Sequence, residues 1–104
     1  MKVFLSSKKK AFSATGEYNP STNEVTVKKG SILSASISGS QTFRSRKSVE
    51  KQREGIVKNN VLQKDMSFNS PSSAANFVTG SSTNGIRVWK TQDGKTIKEL
   101  LEEK

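Results

Sequence analysis

The 104-residue chain contains no cysteine and no histidine. The first absence excludes a disulfide framework and thiolate metal sites. The second removes the commonest general base and the commonest metal ligand together. Proline occurs only twice, and hydrophobic residues make up 31% of the chain. Even with glycine added, the apolar share stays below the roughly 45–50% of ordinary globular domains, so a small core is expected. No apolar run approaches the ~18 residues that span a bilayer. The patch Met1-Lys2-Val3-Phe4-Leu5-Ser6 is far too short for a signal peptide. A cytoplasmic protein without a membrane partner is therefore expected. Acidic residues are also scarce, 9 against 18 Lys and Arg, for a net charge of +9.

The location of that charge matters more than its size. Residues 1–64 hold 13 cations and 4 acids, whereas residues 65–104 hold 5 of each. All of the imbalance falls in the first two-thirds. Such a footprint attracts phosphate backbones or other anionic surfaces. The phosphate-binding candidates are the run Lys8-Lys9-Lys10, the pair Lys28-Lys29, and the cluster Arg44, Arg46, Lys47, Lys51 and Arg53. Lysine suits nonspecific phosphate contact, and arginine can fork onto phosphate or guanine.

The hydropathy pattern reads as strands first and helices later. Val3–Leu5 and Ala11–Tyr18 read as strands. Asn19-Pro20-Ser21-Thr22-Asn23 is turn chemistry, and Glu24–Lys28 is β-branched with period two, which makes a hairpin. Ile32–Ala35 suggests another strand. A helix is expected over Lys47–Lys58, stopped by Asn59-Asn60, with short extended pieces at Val61-Leu62 and Met66–Phe68. The spacing predicts a further helix over Ser72–Thr79, with Ser70 as cap, Pro71 in the first turn and Gly80 at the end. Ile86–Lys90 reads as a strand, and Thr96 caps a last helix that carries Ile97, Leu100 and Leu101. Val25, Val27, Ile56, Val57, Ala74, Ala75, Phe77, Val78 and Trp89 are the expected core.

Several patterns imitate catalytic motifs. Gly94-Lys95-Thr96 resembles the tail of a phosphate loop, but the pattern requires glycine where Trp89 stands. Glu50 and Glu54 lie one helical turn apart among Lys47, Lys51 and Lys58, which fits a solvated face with ion pairs. Glu17 and Glu24 are expected to face each other across the hairpin, without a third carboxylate. The S-x-x-K spacing in Ser6-Ser7-Lys8-Lys9 has no supporting motif, and no G-x-S-x-G elbow is present. Trp89 suits either a core position or stacking on a base. A non-catalytic domain with no metal and no cofactor is expected.

Three stretches carry a resemblance. Val25–Ser31 includes Gly30 and Ser31. Phe68–Ala75 includes Ser70, Pro71, Ser72, Ala74 and Ala75. Asn84–Lys90 includes Asn84, Gly85, Trp89 and Lys90, and is followed by Asp93–Thr96. In this order they resemble an uncharacterised bacterial domain family often appended to GIY-YIG endonucleases and other restriction-modification proteins. That family reads V-x-K-G-S, then F-x-S-P-S-A-A-A, then N-G-W-x-x-W-K. The chain is also similar to the RAMA (restriction enzyme adenine methylase associated) domain. The likeness runs from about Gly16 to Leu101. Ile86 departs from it, standing where the family has its first tryptophan. No nuclease or methyltransferase domain accompanies the module, which fits a stand-alone version or an excised piece. The resemblance implies an accessory DNA-binding module.

Together these readings predict a single α+β domain over residues 1–104, a small antiparallel sheet with two or three helices packed on one face. Its expected role is nucleic-acid binding, with DNA the preferred partner. The alternative is a protein-interaction module that docks a partner enzyme through an acidic surface. A contiguous exposed apolar patch would favour that alternative.

Overall fold

A computed structural model describes residues 1–9, 11–35, 37 and 46–102, with the side chain of Arg46 left out. The architecture is α+β, as the sequence predicts. Strands β1 (Lys2–Ser7), β2 (Phe12–Asn19), β3 (Glu24–Val27) and β6 (Met66–Phe68) form one antiparallel sheet in that order. A small hairpin pairs β4 (Val57–Lys58) with β5 (Val61–Leu62). The helices are α1 (Arg46–Arg53), α2 (Pro71–Thr79), the single turn α3 (Gly85–Val88) and α4 (Ile97–Glu102).

Strand alternation sorts the sheet into two faces. Phe12, Ala14, Gly16 and Tyr18 of β2 point inward, and Ser13, Glu17 and Asn19 point to solvent. Val3 and Leu5, Val25 and Val27, and Phe68 join the inner face, where α2 lays Ala74, Ala75, Phe77 and Val78 against them. The two alanines leave room for close approach. Phe68 and Phe77 meet across this layer with ring centroids 5.0 Å apart. Val25, Val27, Ala74, Ala75, Phe77, Val78 and Trp89 are buried as expected, while Ile56 and Val57 are only partly buried.

Helix α2 has both ends closed. The Ser70 hydroxyl accepts the Ser73 N–H at 3.2 Å, and Pro71 occupies the first turn, where no N–H is required. Gly80 stops the helix in the left-handed conformation and donates its N–H to Asn76 O.

Five sequence expectations need correction. Ile86–Lys90 is not a strand. Gly85–Val88 forms the turn α3, Trp89 after it is extended, and Lys90 exchanges backbone hydrogen bonds with Phe4 on the outer edge of β1. The first helix ends at Arg53 rather than Lys58, so Glu54 falls in the turn beyond it and forms no helical pair with Glu50. Asn59 and Asn60 do not end a helix. Both have positive φ (53° and 67°) at the tip of the β4–β5 hairpin, the geometry a two-residue turn of the primed type requires. Asparagine's tolerance of that conformation serves both roles, so the residue type alone did not decide between them. Ile32–Ala35 also forms no ladder. Ile32 makes isolated bridges to Ser13 and Val61, joining the small hairpin to the main sheet. Glu17 lies opposite Thr26 and Glu24 opposite Asn19, so the two carboxylates are not paired across the hairpin.

Outside the core, Asp65 ties β3 to the start of β6. It accepts the Lys29 N–H at 2.8 Å and the Lys28 ammonium at 2.9 Å. The Lys29 backbone bond, then the Lys28 side chain, holds this carboxyl below its ordinary value. A carboxyl lowered in the folded state stabilises above its unfolded value, and that contribution is lost as pH falls through the folded value. Asp65→Asn is therefore expected to lower stability slightly at neutral pH. The gap to the parent should close as the medium is acidified below the usual carboxylate range. Urea unfolding at a series of pH values measures it, and a gap independent of pH would contradict the assignment.

Candidate nucleic-acid interface

The residues of the resembling motif come together, and they hold one another. The Trp89 indole is fully buried, and its Nε1–H donates to Pro71 O at 3.0 Å. On the other side the indole lies over Gly16 of β2, where an added Cβ would sit 3.2 Å from Trp89 Cζ3. Gly85 packs directly on the first turn of α2. A Cβ there would lie 2.0 Å from Pro71 C and 2.3 Å from Ser72 N, too close for any side chain. The Gly85 N–H donates to the Ser72 hydroxyl at 3.0 Å. Asn76 Oδ1 accepts the Thr83 N–H at 2.9 Å, which straps the loop after α2 back onto that helix. Trp89 is thus a core residue and offers no face to a base. Ile86 is half-buried against the same core. Gly94 forms a turn closed by the Thr91–Lys95 backbone bond, and Thr96 caps α4 by accepting the Glu99 N–H at 3.2 Å.

The basic candidates fall in different settings. Lys10 and Arg44 lie outside the described residues, as does the side chain of Arg46. Lys47 and Lys51 are exposed on α1. Arg53 turns inward. Its guanidinium donates to Ser34 O at 2.7 Å, to Phe77 O at 2.7 Å and to Val78 O at 3.3 Å, and its Cζ lies 5.8 Å from the Phe77 ring centroid. Phe77 and Val78 belong to the last turn of α2, whose carbonyls lack partners within the helix and form the negative end of its dipole. Arg53 therefore caps α2 from a neighbouring element. Burial lowers the pKa of this guanidinium.

Lys8-Lys9 sit in the β1–β2 turn, whereas Lys28-Lys29 follow β3 on the other side of β2. The last register pair of the first hairpin is Ser7 with Phe12, so the turn that carries Lys8 and Lys9 projects directly beyond it. β3 runs antiparallel to β2 on the side away from β1, and Lys28 lies beside Thr15, in the middle of β2. Beside the Lys8-Lys9 turn opens a groove of about 370 Å3, lined by Leu5, Ser6, Ser7 and Phe12 from the hairpin. Its opposite wall is Thr79, Ser81 and Thr83 from the end of α2 and the loop after it, with Arg87, Val88 and Lys90. The wall hydroxyls form a cluster, with Thr79 Oγ1 3.0 Å from Thr83 Oγ1 and 3.4 Å from Ser81 Oγ. The lining contains two cations and no carboxylate.

Arg87 and the hydroxyl wall were not among the sequence candidates. Arg87 and Lys90 lie in residues 65–104, where cations and acids balance, so net charge gives no sign of them. The i,i+3 spacing of two cations on either side of a core residue was the available signal.

The molecule is a small α+β domain whose helix α2 packs on one face of an antiparallel sheet, with a cation-rimmed groove at one end of the sheet. The chain belongs to the family described as "Domain of unknown function (DUF4357)", whose model matches residues 4–101. No curated protein and no solved structure matches it.

Two substitutions test the internal supports. Gly85→Ala should destabilise the domain by several kcal/mol, on the scale of about 2–5 kcal/mol for overpacking and a broken buried contact. Arg53→Met should cost about 2–4 kcal/mol, because it strands carbonyls that a charged donor now satisfies. Chemical unfolding followed by the single tryptophan measures both. An unchanged midpoint for either would remove that residue from the framework.

Proposed function

We propose that the domain is a non-catalytic nucleic-acid-binding accessory module that works on DNA beside a restriction or nuclease enzyme, in the cytoplasm. The observation that carries the reading is the groove. Arg87 and Lys90 stand in its lining with no carboxylate, next to the Lys8-Lys9 turn. Cations free of acidic partners at one surface attract a polyanion and release its counterions on contact. The net charge of +9 adds a long-range field of the same sign. The resemblance to domains appended to restriction and nuclease proteins supports the setting.

The contact set differs from the list of basic residues. Arg53 is committed to backbone carbonyls, and Lys28 is paired with Asp65. Lys8, Lys9, Arg87 and Lys90 are the working contacts, with Lys29 after β3 and Lys47 and Lys51 on α1 as further cations. Docking of a partner protein draws no specific support. Among the described residues the exposed large apolar side chains are Met1, Ile32 and Leu101, and Met1 and Ile32 lie at opposite ends of β2. No helix among the described residues is long and apolar enough to cross a membrane.

Affinity for DNA should fall steeply as salt rises, with a slope of about 0.9 per phosphate neutralised on a log–log plot. Arg87→Glu combined with Lys90→Glu should weaken binding and reduce that slope by about 1–2. Fluorescence anisotropy with labelled DNA over a salt series measures both. Salt-independent affinity, or no binding at low salt, would sink the proposal.

A further inference from the structure

We infer that the groove beside the Lys8-Lys9 turn receives one unpaired nucleobase, with the flanking phosphates held by Arg87, Lys90 and the turn lysines. The inference rests on the nucleic-acid reading above and names the form of nucleic acid, a single strand or a locally unpaired segment.

Binding to duplex phosphates requires only projecting cations. It gives no use to a recess of about 370 Å3 with Leu5, Phe12 and Val88 among its lining. That volume lies in the range of about 300–1,000 Å3 typical of pockets for small organic groups. In a duplex the base faces are stacked, and only base edges are presented in the grooves. In a single strand each base offers an apolar face and a polar edge, and burying that face contributes to affinity whatever the base. The groove has a counterpart for each part. Leu5, Phe12 and Val88 match the face. Thr79, Ser81 and Thr83 match the edge, because each hydroxyl can donate or accept and now bonds only to its own neighbours or nearby backbone. Arg87 and Lys90 match the phosphates.

The missing carboxylate narrows the ligand further. A cationic group would find no partner in the lining, so the occupant is neutral or anionic. Hydroxyls that serve as donor or acceptor discriminate weakly among bases. The expected preference is therefore for unpaired over paired nucleic acid, not for one sequence.

The test compares a single-stranded 12-mer with a blunt duplex of the same length, using the full chain at one fixed low salt concentration. The single strand should bind about tenfold tighter, the scale of one well-buried base. Ser81→Phe fills the groove from a loop position. It should weaken single-strand binding by about tenfold and so remove the preference over the duplex, with Trp89 emission reporting an intact core. Equal affinities in the parent protein would overturn the inference and leave the phosphate-binding reading standing, as would a folded Ser81→Phe that kept the preference. If Ser81→Phe does not fold, the parent comparison decides alone. No binding of either nucleic acid at low salt removes both readings.

Discussion

The indole of Trp89 lies between the sheet and the first turn of α2, and most of the tertiary structure refers to that placement. One side of the ring occupies the space left by the missing side chain of Gly16. Its N–H reaches the Pro71 carbonyl, a group that an indole can satisfy while remaining buried. Gly85 permits the approach of α3 to the same turn, and Ser72 bonds its N–H. The recurrent S-P-S, N-G and W elements are thus one contact written in three places along the chain. Each residue type follows from the geometry: a cap, a ring that needs no N–H, an acceptor hydroxyl, a position without Cβ, and a large ring with one donor.

That clamp fixes where the chain goes next. Trp89 anchors Lys90 against Phe4, so the outer edge of β1 is covered at one point by the residue that also rims the groove. Arg53 secures the opposite end of α2, and the loop after the helix returns through the Asn76–Thr83 bond. The hydroxyl wall is therefore held from both sides. The groove is a by-product of how α2 is tied down, and its cationic rim is set by the side chains of Arg87 and Lys90, which take no part in the tying.

Much of the fold was legible in the sequence where local rules acted alone. The first hairpin, the capped helix α2 and the Thr96 cap follow from alternation, turn residues and cap chemistry. Asn59-Asn60 and Ile86–Lys90 were misread because each pattern has two local solutions, and tertiary pairing chose between them. The Arg87–Trp89 stretch alternates like a strand, yet the closeness of Gly85 to Pro71 forces a helical turn before Trp89. The site was less legible. Charge counting found Lys8 and Lys9 but also counted Arg53, whose side chain is needed by carbonyls distant in sequence. It passed over Arg87, because the acids that balance it in composition do not line the groove with it.

Lys90 joins the fold through its main chain only. Its N–H and C=O complete the bridge to Phe4, whereas its side chain is exposed at the groove. A substitution there leaves the bridge intact, since every residue but proline supplies the same main-chain donor and acceptor. Arg87, exposed on the single turn α3, is similarly free of the clamp. The exposed side chains of Arg87 and Lys90 can thus change by point mutation at little thermodynamic penalty, while the residues beneath them tolerate almost none.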